Sequence, residues 1–236
     1  FLSFFAVALM TVSLSAADKN AFSDKMTEEA IKEVCQAVSN WQIDNFGNVK
    51  HNKLGWHNGA LYIGMYNWAE YGQDAKAAEF LMAIGDKHKW GLASRSYHAD
   101  DICVGQMYIE MYKKHKKNKM IQPLKERAFY VASHPSDAPL SKNDKVGKDT
   151  RWSWCDALFM APPVYAGLYT LTGEKVYKDY LMSEYKACTD SLYDHDESLY
   201  YRDGLRIGVP EPNGAKQFWG RGNGWVFGGL PLVLNN

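Results

Sequence analysis

Apolar residues recur at helical spacing along almost the whole chain, and the strict alternation of a half-buried strand is scarce. This periodicity restricts the fold to packed helices. TEEAIKEVCQAV sets Ile31, Val34, Cys35 and Val38 on one face, with Thr27 placed to cap the helix. Further helices are predicted over 57–71, 74–87, 101–114, 121–132, 155–171 and 174–192, separated by glycine, proline or polar breaks. The chain therefore reads as successive helical hairpins, an all-α protein.

A faint internal repeat supports the hairpins. GALYIGMYNWAEYGQDAKAAEFL (59–81) and APPVYAGLYTLTGEKVYKDYL (161–181) share small residues, two tyrosines four apart, a glycine turn and a second helix. Tyr62/Tyr66 and Tyr165/Tyr169 correspond, and Tyr108/Tyr112 repeats the spacing between them. Such pairs stack into an open solenoid or a closed toroid. The tyrosines read as packing residues of the repeat. Gly59, Gly64, Ala161 and Gly167 are expected to let neighbouring helices approach closely.

The 236 residues suffice for a sizeable core, and one domain is expected. Lys+Arg 27 balance Asp+Glu 27, and no basic face is sustained, which argues against a nucleic-acid partner. The lysine run at 113–119 reads as a solvated helix end where cations complement the helix dipole. Cys35, Cys103, Cys155 and Cys188 lie far apart among apolar neighbours, so they read as small buried hydrophobes. No CxxC pair or His-rich spacing suggests a zinc site.

The first residues, FLSFFAVALMTVSLSAADKN, resemble a signal peptide over 1–17, with cleavage near Ala16 or Ala17 and a partial domain over 18–236. Export to the periplasm or beyond follows as an expectation. A stable membrane anchor needs roughly 20 apolar residues, more than this interrupted run offers. At the other end GGLPLVLNN reads as the beginning of an apolar helix with nothing to cover it, so the chain is expected to be incomplete at both ends, its exposed helix faces making it poorly soluble.

Four short stretches crowd aromatic rings around ionisable groups: YHADD (97–101), WSWCDALFMAPP (152–163), YDHDE (193–197) and WGRGNGW (219–225). Indole and phenol faces stack on the C–H patches of sugars, while carboxylates and guanidinium hold hydroxyls and anionic groups. Asp156 sits among Trp154, Cys155 and an apolar run. It could cap a helix, or, kept protonated by burial, donate a proton near neutrality. Asp100 and Asp101 form a second carboxylate cluster in which capping accounts for one member, and His98 stands close enough to tune the other. His195, between Asp194 and Asp196, suits a surface hydrogen-bonding role as well as a sugar contact. Arg221, flanked by glycines and followed one turn later by Trp225, suits a uronate carboxylate and its ring, or a structural role in a glycine-rich loop.

Taken in order, YHADDICVGQMY, WSWCDALFMAPPVYAGLYTLTG, LYDHDESLYYRD and WGRGNGWVFGGL resemble glycoside hydrolase family 105, the unsaturated rhamnogalacturonyl hydrolases, and the related family 88 unsaturated glucuronyl hydrolases. The resemblance runs from about Trp41 onward. It implies an (α/α)6 barrel, incomplete at the C-terminus in this chain, with the site at one mouth and with neither a metal nor an organic cofactor. It implies hydration of the C4=C5 double bond of an unsaturated uronic acid at the non-reducing end of lyase-generated pectin or rhamnogalacturonan oligosaccharides. Carried over, the proton donor falls on Asp156 and the second aspartate on the Asp100/Asp101 pair. Gly105 lies at the family's spacing from Asp100, which favours that member and leaves both open. Trp154, His195, Arg221 and Trp225 match positions lining the sugar site, with Trp152 and His98 as weaker candidates. A glucuronyl hydrolase acting on glycosaminoglycan fragments and a non-catalytic glycan-binding protein are the alternative readings.

Overall fold

The computed structural model describes residues 22–140 and 149–236. The segment read as a signal peptide, with its cleavage point, lies outside the described residues. Helix α1 (Glu28–Asn45) begins where expected, the Thr27 hydroxyl accepting from Ala30 N at 3.3 Å. Its packing face differs from the predicted one. Ile31 and Val38 are exposed, Val34 and Cys35 are half-buried, and Ser39 is the residue turned inward. The reason is a polar anchor: the buried Asp74 carboxylate accepts from Gln36 Nε2 at 2.9 Å and Ser39 Oγ at 3.1 Å, so α1 docks by hydrogen bonds.

Three hairpins follow. Helices α2 (Trp56–Tyr71) and α3 (Ala75–Lys87) form the first, α5 (Gly105–His115) and α6 (Gln122–Ser133) the second, and α8 (Pro162–Thr172) and α9 (Lys175–Leu192) the third. Helix α2 packs on α5, α5 on α8, and α8 on α10 (Gly220–Leu234), while α6 and α9 lie side by side in the other layer. The tyrosine repeat marks the first layer. Tyr62, Tyr108 and Tyr165, on α2, α5 and α8, are 0%, 0% and 2% exposed. A buried phenol needs a partner for its hydroxyl; Tyr62 donates to Lys53 O at 3.0 Å and Tyr108 to Gly91 O at 2.9 Å. The tyrosines pack, as the sequence implied. Gly59 also behaves as expected, since a Cβ there would lie 2.9 Å from Val104 N, but Gly64 has nothing within 4 Å and permits no close approach.

Two predicted helices are each broken near their start, and the breaks build the site. The expected helix over 101–114 becomes α4 (Ala99–Ile102) and α5, with a turn closed by Gln106 N donating to Cys103 O at 3.1 Å. The expected helix over 155–171 becomes α7 (Ala157–Met160) and α8, because Pro162 and Pro163 cannot donate into a continuing helix. Pro163 leaves the Phe159 carbonyl without its helical donor. Gln106 Nε2 replaces it, reaching Phe159 O at 2.8 Å and Met160 O at 3.1 Å. One buried amide thus ties the two breaks together, and α4 packs against α7. Helix α10 seats on the same α7, where a Cβ at Gly229 would stand 2.6 Å from Leu158 O.

The GGLPLVL segment is the second half of α10 rather than a helix start; within α10, Phe227, Leu230 and Leu234 are exposed. A two-stranded antiparallel ladder, β1 (Tyr193–Asp194) and β2 (Leu199–Tyr200), interrupts the helices without a sequence forecast. Cys103, Cys155 and Cys188 are buried and free, and Cys35 is half-buried and free. Among the described residues no cluster suits a metal ion, and no helix is long and apolar enough to cross a membrane.

Candidate active site

The short helices α4 and α7 open onto one cleft of about 350 Å³. Asp100, His98, Trp152, Trp154, Asp156 and Arg221 line it. Three quoted sequence stretches thereby converge.

Asp156 occupies the N-cap position of α7, yet its side chain makes no capping bond. Its carboxyl faces the cleft. Burial pushes it up to about 6, against the pull of the Asp156 and Ala157 amides and of the Arg221 and Arg202 guanidiniums. A carboxyl placed there is protonated for a useful fraction of molecules near neutrality, which an exposed aspartate is not.

The doublet separates cleanly. His98, rather than either aspartate, caps α4, its Nδ1 accepting from Asp100 N at 3.2 Å. That bond requires an unprotonated Nδ1. Burial holds His98 below its ordinary value, outweighing the attraction of Asp100. Asp101 is 4% exposed and bound by Arg95, with Nη2 at 2.6 Å, Nε at 3.2 Å and the Arg95 backbone N–H at 2.8 Å. Burial alone would raise its carboxyl, but these bonds bring it below the usual range. Asp101 is held ionised by structure. Asp100 has no such partner: Arg95 Nη2 lies 3.8 Å away and His98 Nδ1 3.7 Å away. Burial pushes it up to about 6; the His98 ring and Arg95 oppose this, while the negative charge of Asp156 adds to it.

The aromatic walls differ in exposure. Trp152 is 1% exposed and packed against Tyr180 and Tyr165, so it is a fixed wall. Trp154 is half-buried, perpendicular to Trp219 at 6.2 Å, and carries the Arg202 guanidinium 4.3 Å from its ring centre. Arg221, on the first turn of α10, lies 4.9 Å over the Trp219 ring and is exposed. It is not locked in a structural pair among the described residues, and its charge reaches Asp156.

The structure does not bring two expected residues to this cleft. Trp225 packs behind it, 4.7 Å from Phe159 and 6.0 Å from Trp56, and it is Trp56 that lines the opening. His195 is exposed at the tip of the β1–β2 hairpin. Asp194 Oδ1 accepts there from the amides of Asp196 and Glu197, each at 3.1 Å, which explains the acid-rich YDHDE as a turn. Sequence reasoning in turn missed Trp56, Arg95, Arg151 and Trp219, all on the cleft wall. Arg151 is anchored by the buried Glu184 at 2.9 Å. Trp219 belongs to WGRGNGW, where only its neighbours were singled out; Arg95 and Arg151 carried no local signal, since their acid partners are fixed by the fold.

The sequence profile described as Glycosyl Hydrolase Family 88 matches residues 22–236. Two curated proteins named "Unsaturated 3S-rhamnoglycuronyl hydrolase" are similar. The one from Alteromonas sp. (strain LOR) is 30% identical over 88% of this chain and 55% of its own length. The one from Formosa agariphila is 36% identical over 77% of this chain and 50% of its own length. The chain thus spans about half the length of the curated relatives it matches. A solved structure described as a polysaccharide lyase superposes with a TM-score of 0.76 at 25% identity, over 88% of this chain and 60% of that one. A solved family 88 glycosyl hydrolase from Bacteroides vulgatus superposes with a TM-score of 0.68 at 22% identity, over 86% of this chain and 61% of that one. The helical hairpins are those of the (α/α)6 barrel type.

Proposed function

The chain belongs to Glycosyl Hydrolase Family 88, and from that premise we propose that its cleft serves a hydrolase removing a 4,5-unsaturated uronic acid from the non-reducing end of oligosaccharides left by a polysaccharide lyase. The observation that carries this reading is the pair Asp156 and Asp100, each pushed up to about 6 and neither tied up by a salt bridge closer than 3.7 Å.

The chemistry follows from an enol ether. Asp156 gives its proton to C4, and positive charge develops at C5 and the ring oxygen. Water attacks C5, and the Asp156 carboxylate takes the proton that water releases, so the enzyme group is restored. The resulting hemiketal at C5 opens, the ring oxygen stays on C1 as a hydroxyl, and C1 then expels the aglycone alcohol to leave an aldehyde. Asp100, ionised while Asp156 is protonated, offers its charge to the developing cation. Arg221 faces the uronate carboxylate and Trp154 the sugar ring.

The relatives named for rhamnoglycuronyl substrates favour rhamnose on the leaving side, as in rhamnogalacturonan fragments. Export is inferred from the apolar N-terminal run and fits a substrate made outside the cytoplasm. The test is incubation of the protein with lyase-treated rhamnose-containing polysaccharide while the ultraviolet absorbance of the unsaturated sugar is followed. Loss of absorbance that disappears in Asp156→Asn supports the reading; an unchanged rate in Asp156→Asn contradicts it.

A further inference from the structure

Arg95 reaches the cleft from the loop ahead of α4, and three carboxylates, Asp101, Asp100 and Asp149, stand within 4.0 Å of its guanidinium. It bonds to one of them. Asp101 Oδ1 accepts from Nη2 at 2.6 Å and Oδ2 from Nε at 3.2 Å, while Asp100 stays 3.8 Å away and Asp149 4.0 Å away. The acid that is bonded is the buried one; the two passed over lie nearer solvent.

The backbone fixes this choice. Arg95 N donates to Asp101 Oδ2 at 2.8 Å, His98 N to Arg95 O at 3.2 Å and Asp101 N to His98 O at 3.0 Å, so residues 95–101 close on themselves. Arg127 on α6 holds the same loop from outside, its guanidinium donating to Ala93 O. A buried carboxylate–guanidinium pair adds little net stability over an apolar pair of the same shape, because both ions lose their water. Its consequence here lies in which partner the arginine is denied.

Asp100 and Asp101 are consecutive, yet of the two only Asp100 lines the cleft. Asp100 faces Arg95 and His98 from the loop, Asp101 beside it, Asp156 from the start of α7 and the buried Cys103 thiol after α4. Arg95 is the permanent cation in that set. A guanidinium about 1 Å closer than the observed 3.8 Å would form a salt bridge with Asp100 and offset the charge that a developing sugar cation needs.

We propose that Asp101 is a positioning residue of the active site: it occupies the Arg95 fork and thereby keeps Asp100 an unpaired carboxylate, open to the substrate. This rests on the reading above, in which Asp100 offers its charge to the cation formed at C5. Asp101 itself is buried and off the cleft wall, so it acts through Arg95.

The two halves of the pair should push Asp100 in opposite directions. Asp101→Asn keeps the shape and an acceptor for the Arg95 amide but gives up the charge, so the guanidinium turns to Asp100, whose carboxyl then titrates roughly 1–2 pH units lower. Arg95→Gln takes the cation away, and Asp100 titrates higher. Both shifts are read by ¹³C NMR on the whole protein, with Asp100→Asn assigning the resonance and circular dichroism checking the fold. On lyase-treated substrate, Asp101→Asn should lower kcat roughly 10-fold with KM within about twofold. Adding Arg95→Gln to it should recover most of that loss. An Asp101 that only holds the loop together gives the other result: the double variant is no better than the single one and Asp100 stays where it was, which overturns the inference. Should Asp101→Asn unfold, the Arg95→Gln titration decides, and an Asp100 that stays or moves lower overturns it. An Asp100 that moves as stated while kcat holds also removes the positioning role. A wild-type protein that leaves the unsaturated sugar untouched removes the reading of the function instead, and the two titrations alone then decide where Arg95 is held.

Discussion

Asp74 precedes α3 and Asp156 precedes α7, and both carboxyls are drawn out of water at a helix start. Around Asp74 the fold supplies donors: Ala77 N at 3.1 Å, Trp68 Nε1 at 3.0 Å, Gln36 Nε2 at 2.9 Å and Ser39 Oγ at 3.1 Å. Burial would raise this carboxyl, but the four bonds hold it below its ordinary range. Around Asp156 only its own amide and that of Ala157 favour the charge, no side chain donates to it, the guanidiniums act through space, and burial carries the carboxyl up to about 6. Position relative to a helix therefore does not decide what an aspartate does. The number of donors aimed at it does: a satisfied carboxylate fastens helices, and an unsatisfied one keeps a proton to give.

The sharpest way to break this comparison is to remove the carboxylate at each site in turn. Asp156→Asn should cut turnover of the unsaturated substrate by ~10²-fold or more, the contribution of a general acid, with the fold intact by circular dichroism. Asp74→Ala should leave the cleft chemistry unaltered per folded molecule and cost about 2–4 kcal/mol in urea unfolding, through the lost cap and the donors left unpaired.

Stability against pH should then separate the two aspartates by sign. A carboxyl raised to about 6 in the fold, against an ordinary 3.8, binds more protons folded than unfolded, so stability falls as pH rises from about 4 to about 6. Asp156→Asn should therefore stabilise the protein at pH 8, by about 1–2 kcal/mol after allowance for its partial exposure, and have no such effect below pH 4. Asp74 works the other way. Its contribution is complete above the unfolded value of 3.8 and is lost as pH falls through the depressed folded value. Parallel melts of both variants at pH 4 and pH 8 would show the Asp156→Asn gain at pH 8 alone and an Asp74→Ala loss of similar size at both if the account holds, and shifts that change alike with pH if it does not.

The smallest expected effect concerns the hairpin tip. His195→Ala should change stability by less than about 0.5 kcal/mol and leave substrate affinity unaltered, because His195 is exposed and outside the cleft. A weakened affinity in that variant would mean the hairpin folds over the sugar, and the boundary between structural and chemical regions would need redrawing.

Much of the architecture was legible because it is written in local periodicity. The tyrosine pairs on α2, α5 and α8 follow from spacing alone, and Asp156 follows from a charge lodged between indoles and an apolar run. What escaped depends on pairings across the chain. Nothing in SRSYHADD says that Arg95 turns back to take Asp101 and so frees Asp100. The apolar pattern of α1 pointed to a face that the Asp74 anchor overrides. His195 looked like a site residue because Asp194 and Asp196 flank it, yet those acids serve a tight turn and a contact with Lys216. The break between α7 and α8 was missed although Pro162 and Pro163 carry it, and its partner at Cys103 and Val104 bore no such mark, since Gln106 closes that junction only once the two helices meet.

The most direct measurement is a pH titration of the aspartate side-chain carboxyls by ¹³C NMR, with Asp156→Asn and Asp74→Asn used to assign the resonances. The account predicts that the Asp156 resonance titrates near pH 6 and the Asp74 resonance below 3.8. An Asp156 carboxyl titrating at or below 3.8 would mean it is ionised at every pH where the protein works, and it could not then be the proton donor.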